Sequence, residues 1–153
     1  MDIPRPEYPR PQFVRADWLC LNGDWEFEID HGDSGLDRGL LARPLEQRIR
    51  VPFCPESPLS GVGYVDFMRA VWYRKRVTVP AEWDSRRVLL HFQAVDYDST
   101  VWVNGQEVYR HRGGFSPFSV DLKGIANAGE EIEIVLRARD YEKGPIPRGK
   151  QSQ

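Results

Sequence analysis

Apolar and polar residues alternate with a period of two along much of this chain. Trp25, Phe27 and Ile29 alternate with Asp24, Glu26 and Glu28, the pattern of a half-buried strand. Val88, Leu90, Phe92 and Ala94 alternate with Leu89, His91 and Gln93. Ile132, Ile134, Leu136 and Ala138 alternate with Glu131, Glu133, Val135 and Arg137. Ala70 to Val79 is a run of β-branched and aromatic residues ended by Pro80, and Arg48 to Val51 is a short strand stopped by Pro52. Val101-Trp102-Val103 runs through Asn104-Gly105 into Gln106 to Tyr109. Asn-Gly between two such runs is a hairpin signal, because a type I′ turn needs positive φ at both central residues. A second Asn-Gly, Asn22-Gly23, marks the turn before the Trp25 strand.

Helical periodicity is nearly absent. Residues 30–47 read as a polar surface connection in which Leu36 to Leu41 form a short helical turn, and Ala81 to Arg86 read as a turn. Many short strands divided by Pro and Gly predict an all-β sandwich or barrel. Residues 1–17, rich in Pro and Arg, predict an extended surface arm. Residues 52–69 hold three prolines and two glycines, which deny them regular structure. A loop of that length in a compact domain is more often functional than incidental. Residues 140–153 are polar and never become a strand. They are either a disordered tail or a loop cut before its continuation.

Composition narrows the function. The 153 residues suit one domain with its own core, 41% hydrophobic and 29% charged. A net charge of −2 gives no electrostatic case for nucleic acid or an anionic membrane. No apolar run reaches spanning length and the N-terminus has no apolar h-region, so a cytoplasmic location is expected. Cys20 and Cys54 then read as reduced thiols, and no metal-ligand spacing is present. No metal and no cofactor is expected.

The motifs resemble one family. Trp18 to Phe27 resembles the WxxLNGxWxF opening of the N-terminal sugar-binding domain of glycoside hydrolase family 2, which includes β-galactosidases, β-glucuronidases and β-mannosidases. Val51-Pro52 with Glu56-Ser57 and Leu59-Ser60-Gly61 resembles its VPxxxESxLSG stretch, and Val71 to Lys75 its VWYRR strand. Leu89 to Gly105 resembles LxFxAVDYxxxVWVNG, and His111 to Phe118 resembles HxGGxxPF. Asp140 with Pro147-Arg148-Gly149-Lys150-Gln151 resembles the D…PRGKQ loop of one branch. Each motif alone is weak; together, in order, they are specific.

The resemblance implies a jelly-roll β-sandwich like the galactose-binding fold. It divides the chain into an arm (1–17), the sandwich (18–139) and a loop (140–153) interrupted before the rest of a longer enzyme. In the family an immunoglobulin-like sandwich follows, and then a (β/α)8 barrel carries both catalytic glutamates. The chain is thus expected to be a non-catalytic part of a retaining glycosidase, bracing the barrel and lining its sugar site. Its expected partners are the terminal sugar of a glycoside and the remaining domains of its own chain. An autonomous carbohydrate-binding module, or a structural domain for homo-oligomerisation, is the alternative.

The residues agree with an absence of turnover. Retaining glycoside hydrolysis needs two carboxyl groups about 5–5.5 Å apart, and no pair here can be assigned to a common site. Asp96 and Asp98 in the VDYDS turn read as turn caps. Glu130, Glu131 and Glu133 read as a solvated strand edge, and Trp25, Trp72 and Trp102 as core. Gly113-Gly114 reads as a hinge for a sharp turn. The candidates for sugar contact lie on loops, which are free to meet a ligand: Glu56, Ser57, Asp66, Asp140, Arg148 and Lys150. Arg148 and Lys150 suit a plain solvated role equally well.

Overall fold

The computed structural model describes residues 2–140. Eight strands form: β1 (Gly23–Asp30), β2 (Gln47–Val51), β3 (Ala70–Thr78), β4 (Leu89–Phe92), β5 (Asp98–Val103), β6 (Gln106–Arg112), β7 (Phe118–Asp121) and β8 (Glu131–Arg139). They build an antiparallel six-stranded sheet in the order β2-β1-β3-β8-β5-β6 and a two-stranded sheet, β4-β7. The fold is the predicted all-β sandwich.

Alternation explains the inner core. The register aligns Phe27 with Tyr73, Tyr73 with Leu136, and Leu136 with Val101, so one row of the large sheet presents only large side chains to the interior. Leu90, Phe118 and Val120 close over that face from the small sheet, with Leu122 just beyond β7. Phe27 and Tyr73 meet edge to face at 5.2 Å. The hairpin forms as its sequence demands, with Asn104 at φ 51° and Gly105 at φ 78°.

The other face of the large sheet departs from the expectation. Residues 31–46 are no surface connection; they fold back and cover it. Leu40 is fully buried, and with Leu45 it packs on Trp72, Trp102 and Val135 in a second apolar cluster. Glu28 and Asp30 are therefore buried rather than solvated, and β1 is covered on both sides. β5 is buried along its whole length for the same reason.

Polar groups fasten the cover. Arg74 of β3 donates to the carbonyls of Leu40 at 2.9 Å and Leu41 at 2.7 Å, and also to that of Arg43. Arg43 binds Glu28 at 2.8 Å, and the Leu45 amide donates to Glu26 at 3.0 Å. Asp30 accepts from the Gly35 amide at 2.7 Å, the Ser34 amide at 3.1 Å and Trp72 Nε1 at 3.1 Å. Burial pushes the Asp30 carboxyl up, yet those donors and the Arg38 charge outweigh it and hold the group below its ordinary range. The arm is tied down as well: Asn22 donates to the Pro4 and Arg5 carbonyls, and Arg50 to that of Asp2.

Candidate functional site

Antiparallel register gathers the loops at one end of the large sheet. Asp30 pairs with Ala70, Ala70 with Arg139, Arg139 with Asp98, and Asp98 with Arg112. This transverse row ends β1, β6 and β8 and begins β3 and β5. The segments beyond it, 31–35, 64–69, 93–97, 113–117 and residue 140, consequently share one rim.

Charge organises that rim. Asp98 accepts from Arg112 Nε at 2.9 Å and from Arg139 Nη2 at 3.0 Å. Arg139 Nη1 also reaches Asp33 at 3.4 Å, and Arg137 lies 3.8 Å from the same carboxylate. Burial raises the Asp98 carboxyl's pKa, but hydrogen bonds and charge from Arg139 and Arg112 dominate and hold it low. The Arg137 pKa is lowered as well, by burial and by the charge of its neighbour Arg139. Its guanidinium sits 5.6 Å from the ring centroids of both Trp72 and Trp102. Asp98 is thus no turn cap; it is a strand residue that anchors two arginines.

Next to this network the rim carries a shallow pocket of about 280 Å³ lined by Tyr97, Gly113, Gly114, Phe115 and Ser116. The Gly113 amide donates to the Tyr97 carbonyl at 2.8 Å, and the Tyr97 amide to the Arg139 carbonyl at 3.2 Å. A larger groove of about 380 Å³ opens at the opposite end, where Ile3 of the arm faces Leu21, Lys75 and Val77.

The sequence-predicted contacts fall in different places. Asp140 is on the rim, its amide bonded to the Arg69 carbonyl at 3.1 Å. Asp66 is exposed, three residues before Arg69 on the same rim segment. Glu56 is exposed farther back along the loop and adds to the burial-driven rise of the Tyr73 phenol. Ser57 serves local structure: it caps the short 3₁₀ turn Pro58–Ser60, accepting from the Leu59 amide at 3.2 Å. The structure thus brings Asp66 and Asp140 to one rim, whereas Glu56 and Ser57 belong to the earlier part of the 52–69 loop, whose Pro55 carbonyl accepts from the Tyr64 amide at 3.0 Å. Arg148 and Lys150 lie outside the described residues. The residues that sequence reasoning missed are Asp33, Arg112, Arg137 and Arg139. Their only signal is the i, i+2 pair Arg137/Arg139 on one face of β8. No group of acidic, histidine or cysteine side chains able to hold a metal ion occurs among the described residues.

Comparison with known proteins agrees with this architecture. A family model described as "Glycosyl hydrolases family 2, sugar binding domain" matches residues 62–145, more than half of the chain. A β-glucuronidase of Paenibacillus borealis is 31% identical over 118 residues, covering 76% of this chain and 20% of its own. A β-galactosidase of Thermoanaerobacter pseudethanolicus is 37% identical over 83 residues, 54% of this chain and 11% of its own. Among solved structures, Faecalibacterium prausnitzii β-glucuronidase superimposes with a TM-score of 0.67 at 31% identity, over 79% of this chain and 20% of that one. Ruminococcus gnavus β-glucuronidase in complex with uronic deoxynojirimycin gives a TM-score of 0.66 at 26% identity, over 78% of this chain and 21% of that one. The chain therefore spans about a fifth of the length of the β-glucuronidases it matches. It belongs to the sugar-binding domain family of family 2 glycosyl hydrolases.

Proposed function

We propose that this chain is the non-catalytic N-terminal domain of a retaining glycosidase of β-glucuronidase type. The parent enzyme hydrolyses O-glycosidic bonds with carboxylates that lie in other domains. This domain braces the catalytic domain and lines one wall of its sugar site, and it does not turn over substrate alone. The observation that carries the reading is the joint likeness to β-glucuronidases, 31% identity in sequence to one relative and a TM-score of 0.67 to a solved structure. The rim supports it. Its loops begin and end on strands locked by the Asp33, Asp98, Arg112 and Arg139 network, which suits a wall that must hold its shape against a ligand. A cytoplasmic compartment belongs to the same reading, and in it Cys20 and Cys54 stay reduced thiols.

The parent enzyme, assayed on 4-nitrophenyl β-glucuronide, β-galactoside and β-mannoside, tests this. Hydrolysis of the glucuronide above the other two is expected, with the β-anomer formed first. Hydrolysis of none of them would overturn the reading.

A further inference from the structure

β3 carries a cation on its core-facing side. Val71, Tyr73 and Val77 pack on the inner core, and alternation puts Lys75 on the same face. The register pairs Lys75 with Ile134 and Ile134 with Val103, both of them core residues. The Lys75 stem therefore leaves an apolar row, and the side chain lines the groove of about 380 Å³ at the end opposite the rim. Ile3, Leu19, Leu21 and Val77 line that groove with it. Lys75 Nζ lies 5.6 Å from the Trp25 ring centroid and donates to the main-chain carbonyl of Asp24 at 2.8 Å, rather than to a carboxylate. Two flanking arginines are engaged: Arg50 donates to the Asp2 carbonyl at 2.8 Å, and Arg76 pairs with Glu133 at 3.4 Å. Burial lowers the Lys75 pKa, and together with the Arg48 charge it outweighs the opposing pull of Asp24 and Cys20.

We infer that Lys75 is a carbonyl-capturing amine, and that its groove binds small apolar aldehydes as a Schiff base on Nζ. This site lies at the far end from the rim and does not depend on the glycosidase reading. A lysine becomes nucleophilic when desolvation favours its neutral amine. Arg74 and Arg76, on either side in sequence, keep their protons and cannot substitute for it. In the step, the Nζ lone pair attacks the carbonyl carbon and a C–N bond forms. The carbonyl oxygen leaves as water with both protons of the neutral amine, and a C=N bond remains. No oxidant or reductant is consumed. The aliphatic lining favours an alkyl tail, and the volume falls within the ~300–1,000 Å³ of small-molecule sites.

The test is reductive trapping on the 153-residue chain with hexanal and cyanoborohydride at neutral pH. Peptide mass spectrometry reads the alkylation rates of Lys75 and of the exposed Lys123. Cyanoborohydride reduces the imine and leaves the reversible adduct of the Cys20 thiol, so the label reports amines alone. Lys75 should be alkylated severalfold faster than Lys123 in the folded chain and at an equal rate in concentrated urea. Its excess should be larger with hexanal than with ethanal. Ile3→Ser, a change in the exposed part of the groove wall, should reduce the hexanal excess while the circular dichroism spectrum stays the same. A Lys75 rate at or below that of Lys123, or an excess that survives in urea, would overturn the reactive amine. An excess equal for the two aldehydes, or unchanged in Ile3→Ser, would overturn the groove as the aldehyde's binding site.

Discussion

Trp72 of β3 and Trp102 of β5 stack with ring centroids 5.4 Å apart and planes 16° from parallel, although β8 runs between their strands. They meet on the outer face of the large sheet, beside the β8 guanidinium of Arg137 and beneath Leu40 of the covering segment. Trp102→Ala removes the stack and part of the floor on which the cover rests. It should cost about 3–5 kcal/mol in chemical denaturation, and Trp102→Phe markedly less. Equal effects would show that the stack adds nothing to the area buried.

Arg74 spreads its guanidinium over three main-chain carbonyls of the cover. An ammonium cannot reproduce that planar fork. Arg74→Lys should cost about 1–3 kcal/mol, the range for leaving buried acceptors unsatisfied. It should also open residues 31–46 to limited trypsin digestion at Arg38, since Pro44 protects the bond after Arg43. A digestion pattern like that of the parent sequence would mean the cover is held by its leucines alone.

Gly35 lies where the cover meets the sheet. A Cβ there would stand 2.5 Å from Trp72 Nε1 and 2.8 Å from Asp30 Oδ2. Gly35→Ala should therefore destabilise by about 1–3 kcal/mol, as overpacking does, and it should lower the melting temperature. A neutral or stabilising effect would show that the cover shifts freely.

Asp98 and Asp30 both hold their protons less tightly in the fold than as free carboxyls. Each contributes stability that is fully present above its unfolded pKa of about 3.9 and is lost as pH falls through the lower folded value. Unfolding free energy should thus drop steeply below about pH 4. Asp98→Asn should be less stable at neutral pH by about 1–3 kcal/mol, with a flatter acid limb, because its arginine partners lose a charged acceptor. Parallel acid limbs for the two proteins would remove Asp98 from the account.

Asp140 and Glu56 were equivalent candidates in the sequence and are not equivalent in space. In the parent enzyme, Asp140→Ala should raise KM for the glycoside about tenfold, the scale of one lost charge-assisted hydrogen bond. Glu56→Ala should leave KM unchanged. The reverse order would place the sugar against the middle of the 52–69 loop instead of the rim.

Period-two alternation, Asn-Gly turns and the order of the motifs were enough to establish the strands, the sandwich and the family. Those signals are local: they depend on φ/ψ preferences and on which side of a strand each residue faces. Alternation distinguishes two faces but does not say what lies on the second. That is why the Trp25 strand read as only half-buried and residues 30–47 as a polar surface connection. Only the folded chain shows Leu40 and Arg74 sealing that face. The rim was illegible for a related reason. Asp33 and Arg139, 106 residues apart, meet through the register of neighbouring strands. The sequence by itself therefore determined the fold class and the family. The tertiary structure decided which charges are buried, which loops share an end, and that Tyr97 and Phe115 line the same pocket, because those depend on contacts between segments far apart in the chain.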